Sequence, residues 1–294
     1  MVLSSLADSA ELTPTRLRGA QILGLLVALC LLSAPNFAGP SSDTEEGTLS
    51  ETEFVLGNVA FALMHELAHI LITEHQIPML GPEESAADQI ATTFLVRGEG
   101  SDPEQSERLR QYAGMAALAF ASVWEFANEI DVGNPYWDDH GLSIQRYYRV
   151  LCLIHGSDPA GHPHIPTPNK LPDERAQACM LEFEKANRAV EWLLDTYGVA
   201  SGDSAGASIE ITYQEPRTKV EERLLADIRE RRLIELIVEA FQQRFALQRP
   251  FQVAMRSCGK AEAGWNSTLR ELAICYELLD AYQVLYIRAS SARG

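Results

Sequence analysis

Residues 54–71 read FVLGNVAFALMHELAHIL, and this stretch decides which fold and which chemistry the chain can have. Its apolar residues recur at helical spacing, so we predict a helix from about Glu51 to Glu74. His65 and His69 are four residues apart in it, which turns them only about 40° from each other around the helix axis. With Glu66 they form the H-E-x-x-H pattern, in which two histidines bind zinc and the glutamate acts as a base.

A third ligand is predicted shortly after this helix. Residues 76–82 contain two prolines and a glycine, which end the first helix, and a second helix is expected over residues 82–96. A catalytic zinc needs three protein ligands and one open position. Glu84 can supply the third ligand. Asp88, one turn later, can hydrogen-bond the far nitrogen of a ligand histidine, although a surface charge is the alternative.

This ligand set predicts hydrolytic chemistry. Zinc held by His65, His69 and Glu84 would lower the pKa of a water molecule toward about 7 and polarise the carbonyl of a peptide bond. Glu66 would accept the proton of that water and pass it to the leaving amine. The expected cofactor is therefore Zn²⁺, and the expected reaction is hydrolysis of a peptide bond.

The reaction also needs a donor for the oxyanion of the tetrahedral intermediate. His140 and Arg146 are candidates, because a polar loop leading into a helix can deliver both side chains to a cleft. The alternatives stay open at this point. If they are not oxyanion donors, His140 only packs on Trp137 and Arg146 only pairs with an acidic residue.

The composition restricts the partners. The chain has 294 residues, 46% of them hydrophobic, so it can bury a sizeable core in one domain or two. Its 24 basic and 41 acidic residues give a net charge of −17. This charge argues against nucleic acid and against an anionic membrane surface as partners. We expect a peptide or protein substrate.

The N-terminus has the order of a secretory signal peptide. Arg16 and Arg18 precede an apolar run over residues 22–32, and small residues follow up to Ala38. The run is short for a membrane span, which needs about 20 residues. We therefore predict a signal peptide over residues 1–38, a linker over 39–50, a catalytic domain over 51–294, and a periplasmic or secreted protein. The alternative is an uncleaved anchor in the inner membrane, which would then be the chain's only contact with the membrane.

Four cysteines remain once Cys30 is removed with the leader. An even number in an exported chain predicts two disulfides. Of the three pairings, we favour Cys152–Cys179 with Cys258–Cys275, since it closes two short loops. The alternative is four reduced, buried cysteines.

The remaining pattern predicts a mainly α fold with small β elements. A Pro- and Gly-rich surface loop is expected over residues 156–169. Further helices are predicted over residues 104–130, 143–154, 172–197 and 218–247, and short strands over 208–213, 251–255 and 272–275.

Longer stretches of the sequence resemble a known family. They are His65–His69, Ile77–Gln89, Asp139-His140, Gln145–Tyr148, Cys152, His155–Pro159, Cys258-Gly259 and Ile274–Leu278. In these stretches the chain resembles a family of exported bacterial proteins catalogued as a "putative metallopeptidase" family of uncharacterised function. The resemblance implies a zincin-like fold and hydrolysis of peptide bonds, and it gives no substrate.

The Glu84-x-x-x-Asp88 motif also resembles the pattern of thermolysin-like zincins, in which a glutamate binds the metal and an aspartate one turn later hydrogen-bonds a ligand histidine. Here it follows the histidines more closely than in those enzymes, so Glu83 and Asp88 remain possible ligands. We therefore expect a zinc-dependent peptidase. The alternative, from a different class, is a non-catalytic exported zinc-binding protein that serves as a binding module.

Overall fold

A computed structural model describes residues 49–122, 143–166, 171–200 and 206–291. The helices are α1 Glu51–His75, α2 Glu83–Arg97, α3 Pro103–Ser122, α4 Ser143–Ser157, α5 Asp173–Ala176, α6 Cys179–Tyr197, α7 Lys219–Glu230, α8 Leu233–Arg244 and α9 Tyr276–Ser291. The strands are β1 Ile209–Tyr213, β2 Phe251–Arg256, β3 Ala263–Asn266 and β4 Glu271–Cys275. With 64% of the described residues in helices and one small sheet among them, the predicted mainly α class with small β elements is confirmed.

Helix α1 runs through the core. It begins with a capping box, in which Ser50 accepts from the Glu53 backbone while the Glu53 carboxylate accepts from the Ser50 backbone. It ends at Gln76, which adopts the left-handed conformation with φ 50°. Helix α3 crosses α1 closely at Gly57, where an added Cβ would lie 2.6 Å from the Ala116 backbone nitrogen. Only a residue without a side chain fits this approach.

The sheet has the order β1-β2-β4-β3. Strands β1, β2 and β4 are parallel, and β3 is antiparallel to β4 at the edge of the sheet, with Trp265 opposite Leu272. Helix α1 packs against both β3 and β4. The helix that carries the H-E-x-x-H pattern therefore lies next to the edge strand.

Three predicted elements differ from the observed ones. The single helix predicted over residues 218–247 is two helices, α7 and α8, because Arg232 adopts a left-handed conformation with φ 48° between them. The helix predicted over residues 172–197 is likewise divided into α5 and α6. Strand β3 and helix α9 were not predicted. The helix expected over residues 104–130 is described as far as Ser122.

Both predicted disulfides are present in the structure. Cys152 on α4 is bonded to Cys179 at the start of α6, and Cys258 is bonded to Cys275 at the end of β4. Two disulfides indicate an oxidising environment of the kind that exported proteins meet. The predicted leader over residues 1–38 and the linker up to residue 48 lie outside the described residues.

Candidate metal centre

The turn between α1 and α2 brings the predicted ligands together. Gln76 ends α1 with its backbone N–H bonded to the carbonyls of Ile72 and Thr73, and the chain then reverses to start α2 after Pro82. Glu83 and Glu84 lie in the first turn of α2, where the helix dipole favours negative charge. This hairpin places their carboxylates opposite the histidines of α1.

The ligand atoms converge on one point. The Nε2 atoms of His65 and His69 are 3.1 Å apart. One carboxylate oxygen of Glu84 lies 3.1 Å from His65 Nε2, and the other lies 3.3 Å from His69 Nε2. Glu84 thus faces both histidine nitrogens with both of its oxygens.

These separations fit a divalent metal. Four ligand atoms arranged tetrahedrally about 2.0–2.1 Å from a zinc ion are about 3.3 Å from one another. The observed separations of 3.1 to 3.3 Å, in which each histidine faces a different Glu84 oxygen, are close to that value. Among the described residues, one other group has its possible ligand atoms within 4.8 Å, and it contains Cys258 and Cys275. Their disulfide bond removes the thiolates that a metal would need.

A carboxylate lies beside the far nitrogen of each histidine. Glu83 Oε1 is 2.8 Å from His69 Nδ1, and Asp88 Oδ1 is 3.0 Å from His65 Nδ1. The Asp88 carboxylate has no exposed surface, and Arg146 binds it with two nitrogens at 2.7 and 2.9 Å. Such partners fix the orientation and tautomer of a ligand histidine.

The carboxylates make the centre attractive to a cation. Burial acts to lower the pKa of His69, but hydrogen bonds to Glu84 and Glu83 outweigh it and raise the pKa to about 9. Burial acts to raise the pKa of Glu84, but the two histidines outweigh it and hold the pKa far below its usual range. The same negative charge that favours protonated histidines favours a bound metal cation.

Glu66 lies on α1 between the two histidines and faces the edge strand. Burial raises the pKa of its carboxyl above the usual value, against the opposing effect of the two histidines and of the nearby Trp265 backbone N–H. The Cys275 N–H donates to the Glu262 carbonyl, so these two residues form a hydrogen-bonded pair of the antiparallel ladder. Hydrogen-bonded and non-bonded pairs alternate along such a ladder. The pair Trp265–Leu272 is therefore non-bonded, and the N–H and C=O of Trp265 point away from β4. Trp265 can therefore reach Glu66.

The structure thus brings five of the residues singled out from sequence to one hairpin, and Arg146 reaches the same cluster through Asp88. His65, His69, Glu66, Glu84 and Asp88 all meet at the α1–α2 hairpin.

Arg146 directs two nitrogens at Asp88, so its proposed role as oxyanion donor stays a prediction. His140 lies outside the described residues. Sequence reasoning missed Glu83 as the partner of His69, although the neighbouring pair Glu83-Glu84 carried a signal. It did not place Trp265 at the site.

Comparison with models of known protein families gives a match. The model of a family described as "Putative metallopeptidase" matches residues 27–194 and 213–293. Neither the curated proteins nor the solved structures gave a significant match.

Proposed function

Since this chain belongs to the family described as "Putative metallopeptidase", we propose that it is a zinc-dependent peptidase with Glu66 as its general base. The observation that carries the proposal is the convergence of the His65 and His69 Nε2 atoms with both oxygens of Glu84. Two imidazoles and one carboxylate are the donor set of a catalytic zinc with an open position.

The metal ligands of this proposal are His65, His69 and Glu84. When bound, zinc supplies Lewis acidity, which lowers the pKa of water and polarises a carbonyl. Glu83 and Asp88 hold the two imidazoles so that their Nε2 atoms face inward. Arg146 neutralises Asp88 and keeps that carboxylate in place.

Glu66 moves the proton. Glu66 follows His65 in the chain, so its side chain is turned away from the face of α1 that carries the two ligand histidines. Its carboxylate therefore does not bind the metal and can accept a proton from water. It then returns the proton to the leaving amine, which would otherwise be expelled as an unstable anion. The candidate donors for the oxyanion are His140 and Arg146.

The substrate chain would bind along β3. This strand forms the edge of the sheet. The N–H and C=O of Ala263 and the C=O of Trp265 point away from β4 and are the groups a peptide can bind, while the Trp265 N–H faces Glu66. An extended peptide can add to such an edge through main-chain hydrogen bonds. Because α1 packs against β3, a peptide bound there would run close to Glu66. We therefore propose an extended peptide or an unfolded protein segment as the substrate.

The place of action that fits these features is outside the cytoplasm. Reducing thiols keep cytosolic cysteines free, whereas Cys152–Cys179 and Cys258–Cys275 are both bonded. We propose a periplasmic or secreted enzyme whose residues 1–38 direct export. Cell fractionation tests this, and recovery of the protein with the inner membrane would show the anchored form instead.

Glu66→Gln tests the function. The variant should keep one zinc per chain and the wild-type unfolding midpoint, while turnover of a peptide library falls by at least about 10²-fold, the usual scale for losing a general base. The matched control is Glu104→Gln, a carboxylate in the first turn of α3, which should leave turnover unchanged. His69→Ala should lose both zinc and turnover.

Two results would overturn the proposal. The first is a Glu66→Gln variant that cleaves as fast as the wild type. The second is a wild-type protein that binds one zinc per chain but cleaves no member of a broad peptide library, which would make the chain a zinc-binding protein without peptidase activity.

A further inference from the structure

The turn between β3 and β4 is attached to α1 by side chains, in addition to the contact of α1 with Trp265. The turn after β3 contains Arg270, which adopts a left-handed conformation with φ 54°. Its guanidinium donates to the Pro250 carbonyl at 3.2 Å and to the Arg249 carbonyl at 2.8 Å, and it forms an ion pair with Glu74. Glu74 lies in the last turn of α1.

The same guanidinium also packs on Trp265. The carbon at its centre lies 5.2 Å from the centroid of the indole ring, within the range of a cation–π contact. Phe251 packs on the indole edge-to-face, with the two ring centroids 5.5 Å apart. The side chain of Trp265 is therefore held on two sides, and Arg270 supplies one of them.

These contacts tie β3 to one helix at two points. Glu66 and Glu74 are eight residues apart on α1, which corresponds to about 12 Å along the helix axis. Glu66 interacts with the Trp265 backbone at the first point, and Glu74 binds Arg270 at the second. The Glu74 side chain is 2% exposed, so its charge is balanced mainly by Arg270 and Arg249 and little by water.

We propose that Arg270 is a positioning residue, which uses Glu74 and the Trp265 indole to hold the outward-facing edge of β3 in register with Glu66. This rests on the proposed function, in which β3 binds the substrate and Glu66 moves the proton. Without Arg270, the turn would lose its attachment to the end of α1, and the Trp265 N–H would leave Glu66 more often. An extended peptide bound to β3 would then be misaligned with the metal centre.

Arg249 provides a matched control on the same carboxylate. Its Nη2 atom is 2.9 Å from Glu74 Oε1, but its side chain is 66% exposed, and the Arg249 atom that Arg270 binds is a backbone carbonyl. Arg249→Ala therefore removes one cation from Glu74 and leaves the Arg270–Trp265 contact in place. Arg270→Ala removes the contact itself. Because arginine and alanine both have a Cβ atom, the substitution does not change the cost of the left-handed backbone conformation at this position.

The first readout is amide hydrogen exchange at Trp265, measured on the full chain with bound zinc, and it needs no peptidase activity. In Arg270→Ala the Trp265 amide should exchange at least about tenfold faster, as expected for easier local opening, while Arg249→Ala should match the wild type. Zinc content should stay at one per chain in both variants. Unchanged exchange at Trp265 in a folded Arg270→Ala variant would overturn the proposal.

The second readout is kinetic. Peptides long enough to pair with β3 should lose at least about tenfold in kcat/KM with Arg270→Ala, chiefly through KM, whereas the shortest cleavable peptides should lose little. An equal loss for all lengths would show a merely structural role and contradict positioning. Should Arg270→Ala fail to fold, Arg270→Lys keeps the charge on Glu74 but loses the planar contact, and the same two measurements apply to it.

The outcomes separate this inference from the proposed function. If the wild type cleaves no peptide, the proposed function fails, and exchange at Trp265 still decides whether Arg270 positions β3. If the wild type is a peptidase and exchange at Trp265 does not change, the positioning role alone fails.

Discussion

Replacing Asp88 by alanine should weaken metal binding without removing any metal ligand. The Asp88 carboxylate is buried between two elements, with His65 of α1 at 3.0 Å on one side and the guanidinium of Arg146 from α4 at 2.7 and 2.9 Å on the other. Truncation leaves the His65 ring without the anion beside its Nδ1 atom. It also leaves Arg146 without its partner.

The size of each effect follows from these contacts. Loss of a carboxylate that orients a ligand histidine usually costs 10- to 100-fold in metal affinity, which corresponds to about 1.4–2.8 kcal/mol. Removing one partner of a buried ion pair usually costs 3–5 kcal/mol of stability. Because the Arg146 side chain is 26% exposed, water can reach it, and we expect the lower end of that range, about 3 kcal/mol.

The two effects need separate assays. Zinc affinity is measured by competition with a chromophoric chelator, and the free energy of unfolding is measured in urea with EDTA present, so that bound metal does not contribute to it. Arg149→Ala is the matched control, since Arg149 also joins α4 to α2, through the Ser85 hydroxyl at 2.9 Å, but contacts neither Asp88 nor a histidine in that bond. The control should keep the wild-type zinc affinity.

An Asp88→Ala variant with wild-type zinc affinity would refute the reasoning, even if its stability fell. The isosteric Asp88→Asn variant checks the electrostatic part, because it keeps the shape and removes the charge. It should also bind zinc more weakly than the wild type, and a wild-type affinity there would show that packing rather than charge orients His65.

Two further predictions concern the ligands and the covalent links. Glu84→Gln should abolish stoichiometric zinc binding, because both Glu84 oxygens face the Nε2 atoms of the histidines. Glu83→Gln should weaken zinc binding only about tenfold, because Glu83 acts through His69. Equal losses of zinc in the two variants, measured by metal analysis, would contradict the assignment. Reduction of either disulfide should lower the free energy of unfolding by about 3 kcal/mol, since the bonded cysteines are 27 and 17 residues apart. Urea titrations with and without reductant measure this loss, and four free thiols in non-reducing peptide maps would count against it.

The metal centre could be predicted from sequence because its ligands are local. His65 and Glu84 are 19 residues apart, on two helices joined by one short turn, so helical periodicity and the Pro–Gly turn were sufficient to bring them together. Asp88 followed from the same periodicity on α2. Such short-range geometry depends little on the rest of the fold.

Contacts between distant segments could not be predicted in the same way. Arg146 is 58 residues from Asp88, and Arg270 is 196 residues from Glu74, so no periodic pattern relates them. Strand β3 has only four residues and contains a glycine, which gives no alternation to detect. The division between α7 and α8 occurs at arginines, which are good helix formers, and it depends on tertiary packing.

If the chain is exported as proposed, the burial of α1 has a consequence for how it crosses the membrane. By length and composition, α1 is the one helix among the described residues that could cross a membrane, although most of it is buried inside the folded protein. A chain that is exported unfolded would present this segment to the translocation channel before any tertiary contact covers it. Ionisable residues near the centre of such a segment disfavour its release into the lipid. His65, Glu66 and His69 occupy that part of α1, so the residues proposed for metal binding and proton transfer would also help the helix to pass through the membrane rather than remain in it.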